Sequence, residues 1–228
     1  MEFAHCSIPF FQQRAFRQNT ISSLHQAYAV PKRALGILIW EVSYFSVSSL
    51  NDWEQRELNA WADRYDNLRV PITASDRVAG STPYYGANGI QDYVEGYTHD
   101  GEFILVAEDG ASDLKNYPVQ YVNGRIWVNN HAHVLQAKKE IADNKFLKYV
   151  ISQTNIEPYL VGGGRAKLNA DTMMRIFIIA PENLEEQKHL GTLFQRLDNL
   201  STLHQRKTFL KKKEVNSMPN EVYSAEIF

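Results

Sequence analysis

From Asn183 to Lys213 the chain runs for about 31 residues without a proline, directly after Pro181 has closed the apolar stretch Ile176 to Ala180. This segment limits the fold more than any other. At about 1.5 Å per residue it makes a helix roughly 46 Å long. Leu190, Leu193, Leu197 and Leu200 recur in steps of three and four, and His204 continues the series. That spacing is the heptad seam of a coiled-coil-type helix. A rod of this length cannot bury its seam within itself, so the expectation is a dimerisation or partner helix. Lengthwise packing on its own domain is the alternative.

The 228 residues are 44% hydrophobic and 22% charged, with one cysteine and a formal net charge of -2. Such a profile fits a globular protein and excludes collagen-like, low-complexity and strongly disordered classes. Cys6 alone cannot form an internal disulfide, which fits a reducing, cytoplasmic setting. The best apolar run, Ala34 to Trp40, falls far short of the ~20 residues a bilayer span needs, and no secretory signal opens the chain. Charge is uneven along the sequence. Asp76 to Asp113 holds one base against eight acids, whereas Lys115 to Arg175 holds nine bases against four acids. Asymmetry of this kind can build a local polyanion site.

The expected fold class is α/β (α+β), with a β-rich domain over 51–181, the long helix over 182–214 and a tail over 215–228. Residues 1–50 are poorly defined, with few acids and with Pro9 and Pro31 interrupting any long helix. Leu58, Trp61, Ala62 and Tyr65 stand at helical spacing, so Glu54 to Asp66 reads as an amphipathic helix or a strand leading into one. Turn signals at Asn88-Gly89, Asp100-Gly101, Asp109-Gly110 and Asn123-Gly124 punctuate the strand runs Glu102 to Ala107, Val119 to Val122, Arg125 to Val128 and His131 to Leu135. Asn123-Gly124 is a strong hairpin signal. Phe146 to Ile151 suits a helix, Gly162 to Gly164 a loop and Thr172 to Arg175 a short helix. Phe194 to Gln205 echoes Phe16 to Gln26 with one residue missing, a weak internal repeat.

Catalytic signals are weak. The sequence lacks a Gly-x-Ser-x-Gly elbow, and Gly162 to Lys167 lacks the ending of a phosphate-binding P-loop. His131 and His133 share a strand face as a conceivable metal pair. With neither a third histidine nor a paired carboxylate evident, they read as ordinary strand histidines, and no metal or catalytic residue is assigned. Nucleic-acid chemistry is better served. Gly163 gives backbone room beside Arg165 and Lys167, whose cations suit phosphate. Tyr84, Tyr85 and Asn88 cluster in a second loop, and Arg125, Asn130 and His131 surround a third. Arg and Asn are side chains that can engage base edges.

With these residues assembled, the chain resembles the DNA-specificity subunit of type I restriction–modification enzymes. The likeness is carried by Asp52 to Leu58, by Thr82 to Ile90 followed by Phe103 to Gly110, by Tyr159 to Asn169, and by Pro181, Glu186-Gln187 and Leu197 to Lys207. It implies a non-catalytic reader of double-stranded DNA, with 51–181 a target recognition domain and 182–214 a spacer helix. It also implies methyltransferase (modification) and restriction subunits as partners, which would carry S-adenosylmethionine, ATP and magnesium. Phe16 to Gln26 would then be a remnant of the other spacer helix. Such subunits carry two recognition domains and this chain one, so the resemblance implies pairing as a homodimer or with a companion half-subunit. A decayed or regulatory remnant is the alternative, and a stand-alone nuclease a weaker one.

Overall fold

The apolar run Phe103 to Ala107 is buried at every position, which requires cover on both faces of its strand. The computed structural model, which describes residues 53–216 apart from Gly164, supplies that cover. The expectations for Phe16 to Gln26 and for the residues beyond 216 lie outside the described residues. The central strand is β5 (His99–Ala107), flanked by β6 (Val119–Val128) and β7 (Ala132–Ala137). With β2 (Ala62–Arg64), β3 (Ala79–Gly86) and β4 (Gly89–Val94) they form a six-stranded sheet in the order β2-β7-β5-β6-β3-β4. Its ladders are antiparallel except for the short parallel pairing of β3 with β6.

Alternation along β5 sends its side chains into two cores. Phe103 and Leu105 join Val122, Ile126, Val128 and Val134 on one face. Ile104 and Val106 join Leu135 on the other, under the helical layer. That layer comprises α1 (Leu58–Trp61), α2 (Asn144–Gln153) and α3 (Ala170–Met174), and it buries Trp61, Phe146, Leu147 and Met173. Two small ladders complete the domain: β1 (Trp53–Glu57) with β10 (Phe177–Pro181), and β8 (Leu160–Val161) with β9 (Lys167–Leu168).

One expectation needs correction and another is narrowed. Asn123-Gly124 is not a hairpin; it lies inside β6, whose ladder with β5 continues from Val106↔Val119 to His99↔Ile126. The residue opposite Gly124 is Gly101, and both glycines have positive φ, +101° and +140°. Two turn signals thus merge into one rung, where paired glycines let both strands bend without clashing side chains. Glu54 to Asp66 follows the second of its two readings, a strand leading into a helix. Its first four residues are claimed by the ladder with β10, and only the single turn Leu58–Trp61 is α-helical. Tertiary pairing overrides the helical spacing of its apolar residues.

Pro181 ends β10, and α4 (Leu184–Asn216) follows as a continuous helix of 33 residues. The leucine seam divides between two environments. Leu193 and Leu197 are buried and Leu190 is partly so, all turned onto this chain's own domain, whereas Leu200 is 47% exposed. His204 is also exposed, as are Leu203, Phe209 and Leu210. The single partner seam is therefore corrected: α4 docks on its domain as far as the buried Ser201 and projects beyond it. Leu197→Ala is expected to cost about 2–4 kcal/mol, the range for a large-to-small change in a core. Leu203→Ala should stay within about 0.5 kcal/mol in the monomer. Urea denaturation at low protein concentration separates the two, and equal costs would contradict this division. Among the described residues, no helix is long and apolar enough to cross a membrane.

Candidate nucleic-acid interface

Four connections far apart in sequence meet at one end of the sheet. At the tip of the β3–β4 hairpin, the Asn88 amide donates to the Gly110 carbonyl at 2.9 Å, and its oxygen accepts from the Ser112 N–H at 2.8 Å. In the β6–β7 connection, the Asn129 N–H donates to the Tyr85 carbonyl, and the Asn129 side chain accepts from the His131 N–H. The segment after β5 joins them through Glu108, whose N–H donates to the His131 carbonyl at 2.9 Å. The β8–β9 hairpin has only two rungs of its own. It is held instead by the Leu168 N–H donating to the Glu108 carbonyl at 2.7 Å and by an Asp109–Lys167 bridge.

Beneath these loops lies a buried ionic network. His133 on β7 is 1% exposed, and its two ring nitrogens face Asp66 Oδ2 at 2.7 Å and the Leu168 carbonyl at 2.9 Å. Both partners are acceptors, so each ring nitrogen stands where an N–H can donate. Glu108 Oε2 lies 3.6 Å from the same ring and 2.7 Å from Arg69 Nη1, while Glu108 Oε1 takes Lys167 Nζ at 2.9 Å. Burial alone would raise the Asp66 and Glu108 carboxyls. For Asp66 it is outweighed by His133, the Val134 N–H and Arg69, and for Glu108 by Arg69, Lys167 and His133, so both lie below their ordinary values.

Asp66, Glu108 and His133 bring one ligand atom each within 4.8 Å of one another, the spacing a metal ion would need. The chemistry of the set does not fit one. The carboxylates are already matched by Arg69 and Lys167, and His133 Nδ1 is already engaged by Asp66, so a cation would have to displace existing partners. These residues are a structural network that clamps the β8–β9 hairpin to β5 and β7. Sequence reading missed Asp66 and Arg69, which lie in and just after a single 3-10 turn, Asp66–Leu68, with no motif to mark them. It also paired His131 with His133, but His131 precedes β7 and binds a different carboxylate, Asp109, at 2.6 Å.

The expected contact residues fall into three groups. Arg165, Lys167, Gly163, Asn130, His131 and Asn88 converge at the sheet end. Arg165 is 63% exposed at its side chain, with Nη2 donating to Asp109 Oδ1 at 3.1 Å. Gly110, at φ +66°, holds a left-handed turn that side chains rarely adopt, and a Cβ there would only touch the guanidinium, at 3.7 Å. A Cβ at Gly163 would meet nothing within 4 Å, and Asn130 is exposed. Tyr85 is half-buried against the second core. Tyr84 is corrected outright: it is 1% exposed, its hydroxyl bonds the backbone of Ile72, and Arg77 stacks on its ring. Alternation along β3 turns it into the protein, away from any ligand. Arg125 stays outside the cluster, paired with Asp100 at 3.2 Å and stacked over Tyr97.

Comparison with known proteins agrees with this architecture. Residues 51–211 match the family model described as the type I restriction modification DNA specificity domain. The Haemophilus influenzae protein S.HindORF215P, named as a type I restriction enzyme specificity subunit, is 47% identical over 128 residues, covering 56% of this chain and 33% of that protein. The Escherichia coli type I restriction enzyme EcoprrI specificity subunit is 24% identical over 119 residues, 52% of this chain and 28% of that one. The S subunit of a type I restriction-modification system from M. genitalium shares the fold with a TM-score of 0.60 at 16% identity, covering 90% of this chain and 53% of that one. A chain from a type I R-M system, studied for its complex assembly and conformational transition, gives 0.54 at 13% identity, covering 91% and 57%. The chain thus spans about a third of the curated relatives' length and about half of these solved chains.

Proposed function

We propose, from the premise that this chain belongs to the family of type I restriction modification DNA specificity domains, that it is a non-catalytic reader of double-stranded DNA. It would read one half of a split site and direct methylation and cleavage by modification and restriction subunits. The observation that carries this reading is the meeting of four loops at one end of the sheet, where Arg165, Lys167, Asn130 and His131 stand together. Cations there suit phosphates and the amide suits a base edge. In this scheme S-adenosylmethionine, ATP and magnesium act on the partner subunits, in the cytoplasm. The projecting part of α4, with Leu200, Leu203 and Leu210 exposed, pairs with a second copy or a companion half-subunit. A two-fold pair reads a palindromic split site.

The test is genome-wide methylation mapping in cells that supply modification subunits, with and without this chain. A new bipartite methylated motif that depends on the chain is the expected result. An unchanged methylation pattern would instead favour a remnant or regulatory protein. In vitro, sequence-selective binding is expected only with modification subunits present, and tight selective binding by the isolated chain would contradict the scheme.

A further inference from the structure

The first turns of α4 are fixed to the domain more firmly than apolar packing requires. Gln187 is fully buried and fully engaged. Its oxygen accepts from the Asp143 N–H at 3.0 Å, and its amide donates to the carbonyls of Ile141 at 3.0 Å and Pro181 at 2.9 Å. One turn on, Gly191 lies across the N-terminus of α2. A Cβ there would be 2.7 Å from the Phe146 amide nitrogen and 2.8 Å from Asp143 Oδ1, the side chain that caps α2 by accepting from that same amide. Two turns further, Asp198 accepts from the Tyr149 hydroxyl at 2.5 Å and faces Lys148 Nζ at 3.5 Å. Phe194 fills the space between, edge-on to Tyr149 with ring centroids 5.2 Å apart. Burial pushes the Lys148 ammonium below its ordinary value, and Asp198 opposes that shift.

These contacts are polar, directional and spread along three turns, so they fix the angle of α4 as well as its attachment. From Gly191 the helix runs on to Asn216, a lever of roughly 37 Å at about 1.5 Å per residue. A tilt of about 5° at Gly191 moves its far end by about 3 Å, close to the ~3.4 Å that one base pair adds along the DNA axis. We infer that Gln187, Gly191 and the Tyr149–Asp198 pair form a rigid joint that sets where the projecting helix, and hence any partner docked on it, stands relative to the recognition loops. They are positioning residues, and they touch no DNA. The consequence at DNA rests on the function proposed above: the joint sets the number of base pairs between the two half-sites, while the loops set the half-site sequence.

Nitroxide labels at Asn123→Cys on β6 and Gln205→Cys on α4, in the full chain carrying Cys6→Ser, read the angle directly by pulsed electron paramagnetic resonance. The unaltered joint should give one narrow distance distribution. Gly191→Ala should shift it by several ångströms or broaden it. Tyr149→Phe removes only a hydroxyl and keeps the fold testable should Gly191→Ala not fold; it should broaden the distribution. Distributions unchanged in both variants would overturn the joint. Methylation mapping of the same variants with modification subunits tests the consequence. The half-site sequences should persist with an altered or heterogeneous spacer. Weaker methylation at an unaltered spacer would show a purely structural role and overturn the link to spacing. Shifted distances in a chain that directs no methylated motif even before substitution would uphold the joint and reject the proposed function.

Discussion

Replacing His133 with leucine is expected to cost about 3–5 kcal/mol at pH 7, the scale for removing one partner of a buried charge network. Leucine fills much of the volume but donates nothing. Asp66 then loses the 2.7 Å hydrogen bond from the ring, and the Leu168 carbonyl loses its 2.9 Å donor. The pH dependence gives a second signature. Asp66 and Glu108 lie below their ordinary values of 3.8 and 4.5 in the folded protein. Their contribution to stability is therefore present above those values and is lost as pH falls through the folded-state values. His133 supplies part of that lowering, so its removal cuts the stability that ionisation contributes. The gap between the two proteins should narrow as pH drops through the carboxylate range. Urea midpoints at pH 7 and at about pH 3, below both ordinary values, measure both effects. A gap under about 1 kcal/mol at pH 7, or one that does not change with pH, would show that the network is not ionic.

That network also marks where sequence reading stops. Elements with a local signature are legible: the helix after Pro181, the apolar run of β5, and the glycine loop before Lys167. What defeats local reading is pairing at long range. Asn123-Gly124 carries every mark of a turn, yet its glycine meets Gly101 across a ladder that no local pattern announces. Tyr84 and Tyr85 are adjacent and chemically alike, and only the pleat of β3 decides that the first is buried and the second half-buried. Asp66 and His133 are 67 residues apart, so nothing in either neighbourhood reveals their bond. Arg165 and Lys167 belong to one loop in the sequence and Asn130 and His131 to another, and the two meet because loops rich in Gly and Asn gather at strand ends. Arg125, read with Asn130 and His131, stands apart because a mid-strand arginine finds a cross-strand partner, here Asp100.

The leucine seam shows a subtler limit. Heptad spacing identifies a stripe that needs covering but does not say by what. Leu193 and Leu197 are covered by the chain's own domain, while Leu200 and Leu203 are not. What separates the two fates is position along the helix, which leaves its domain near the buried Ser201. That division leaves one rod serving both as a buttress of the recognition domain and as an arm beyond it.

Arg165→Ala should separate DNA contact from stability more cleanly than any other change at the loops. Its side chain is 63% exposed and its bond to Asp109 is a surface pair, a class worth about 0–1 kcal/mol. The fold should therefore lose less than about 1 kcal/mol. Lys167 is the poorer probe, because its ammonium also matches the partly buried Glu108 carboxylate. In complex with modification subunits, loss of Arg165 should weaken specific DNA binding by roughly 1–3 kcal/mol if it engages a base, with relaxed selectivity at one position of the motif. If it engages a phosphate, selectivity stays and the slope of log affinity against log salt falls by about 0.9. Salt titrations of binding, with methylation mapping of the variant, distinguish the two. His131 adds a directional expectation. Its Nδ1 faces the Asp109 carboxylate, which leaves Nε2 as the nitrogen able to reach a ligand, and Asp109→Ala would release both His131 and Arg165 together. Affinity, selectivity and salt slope all unchanged in Arg165→Ala would remove the β8–β9 loop from the interface.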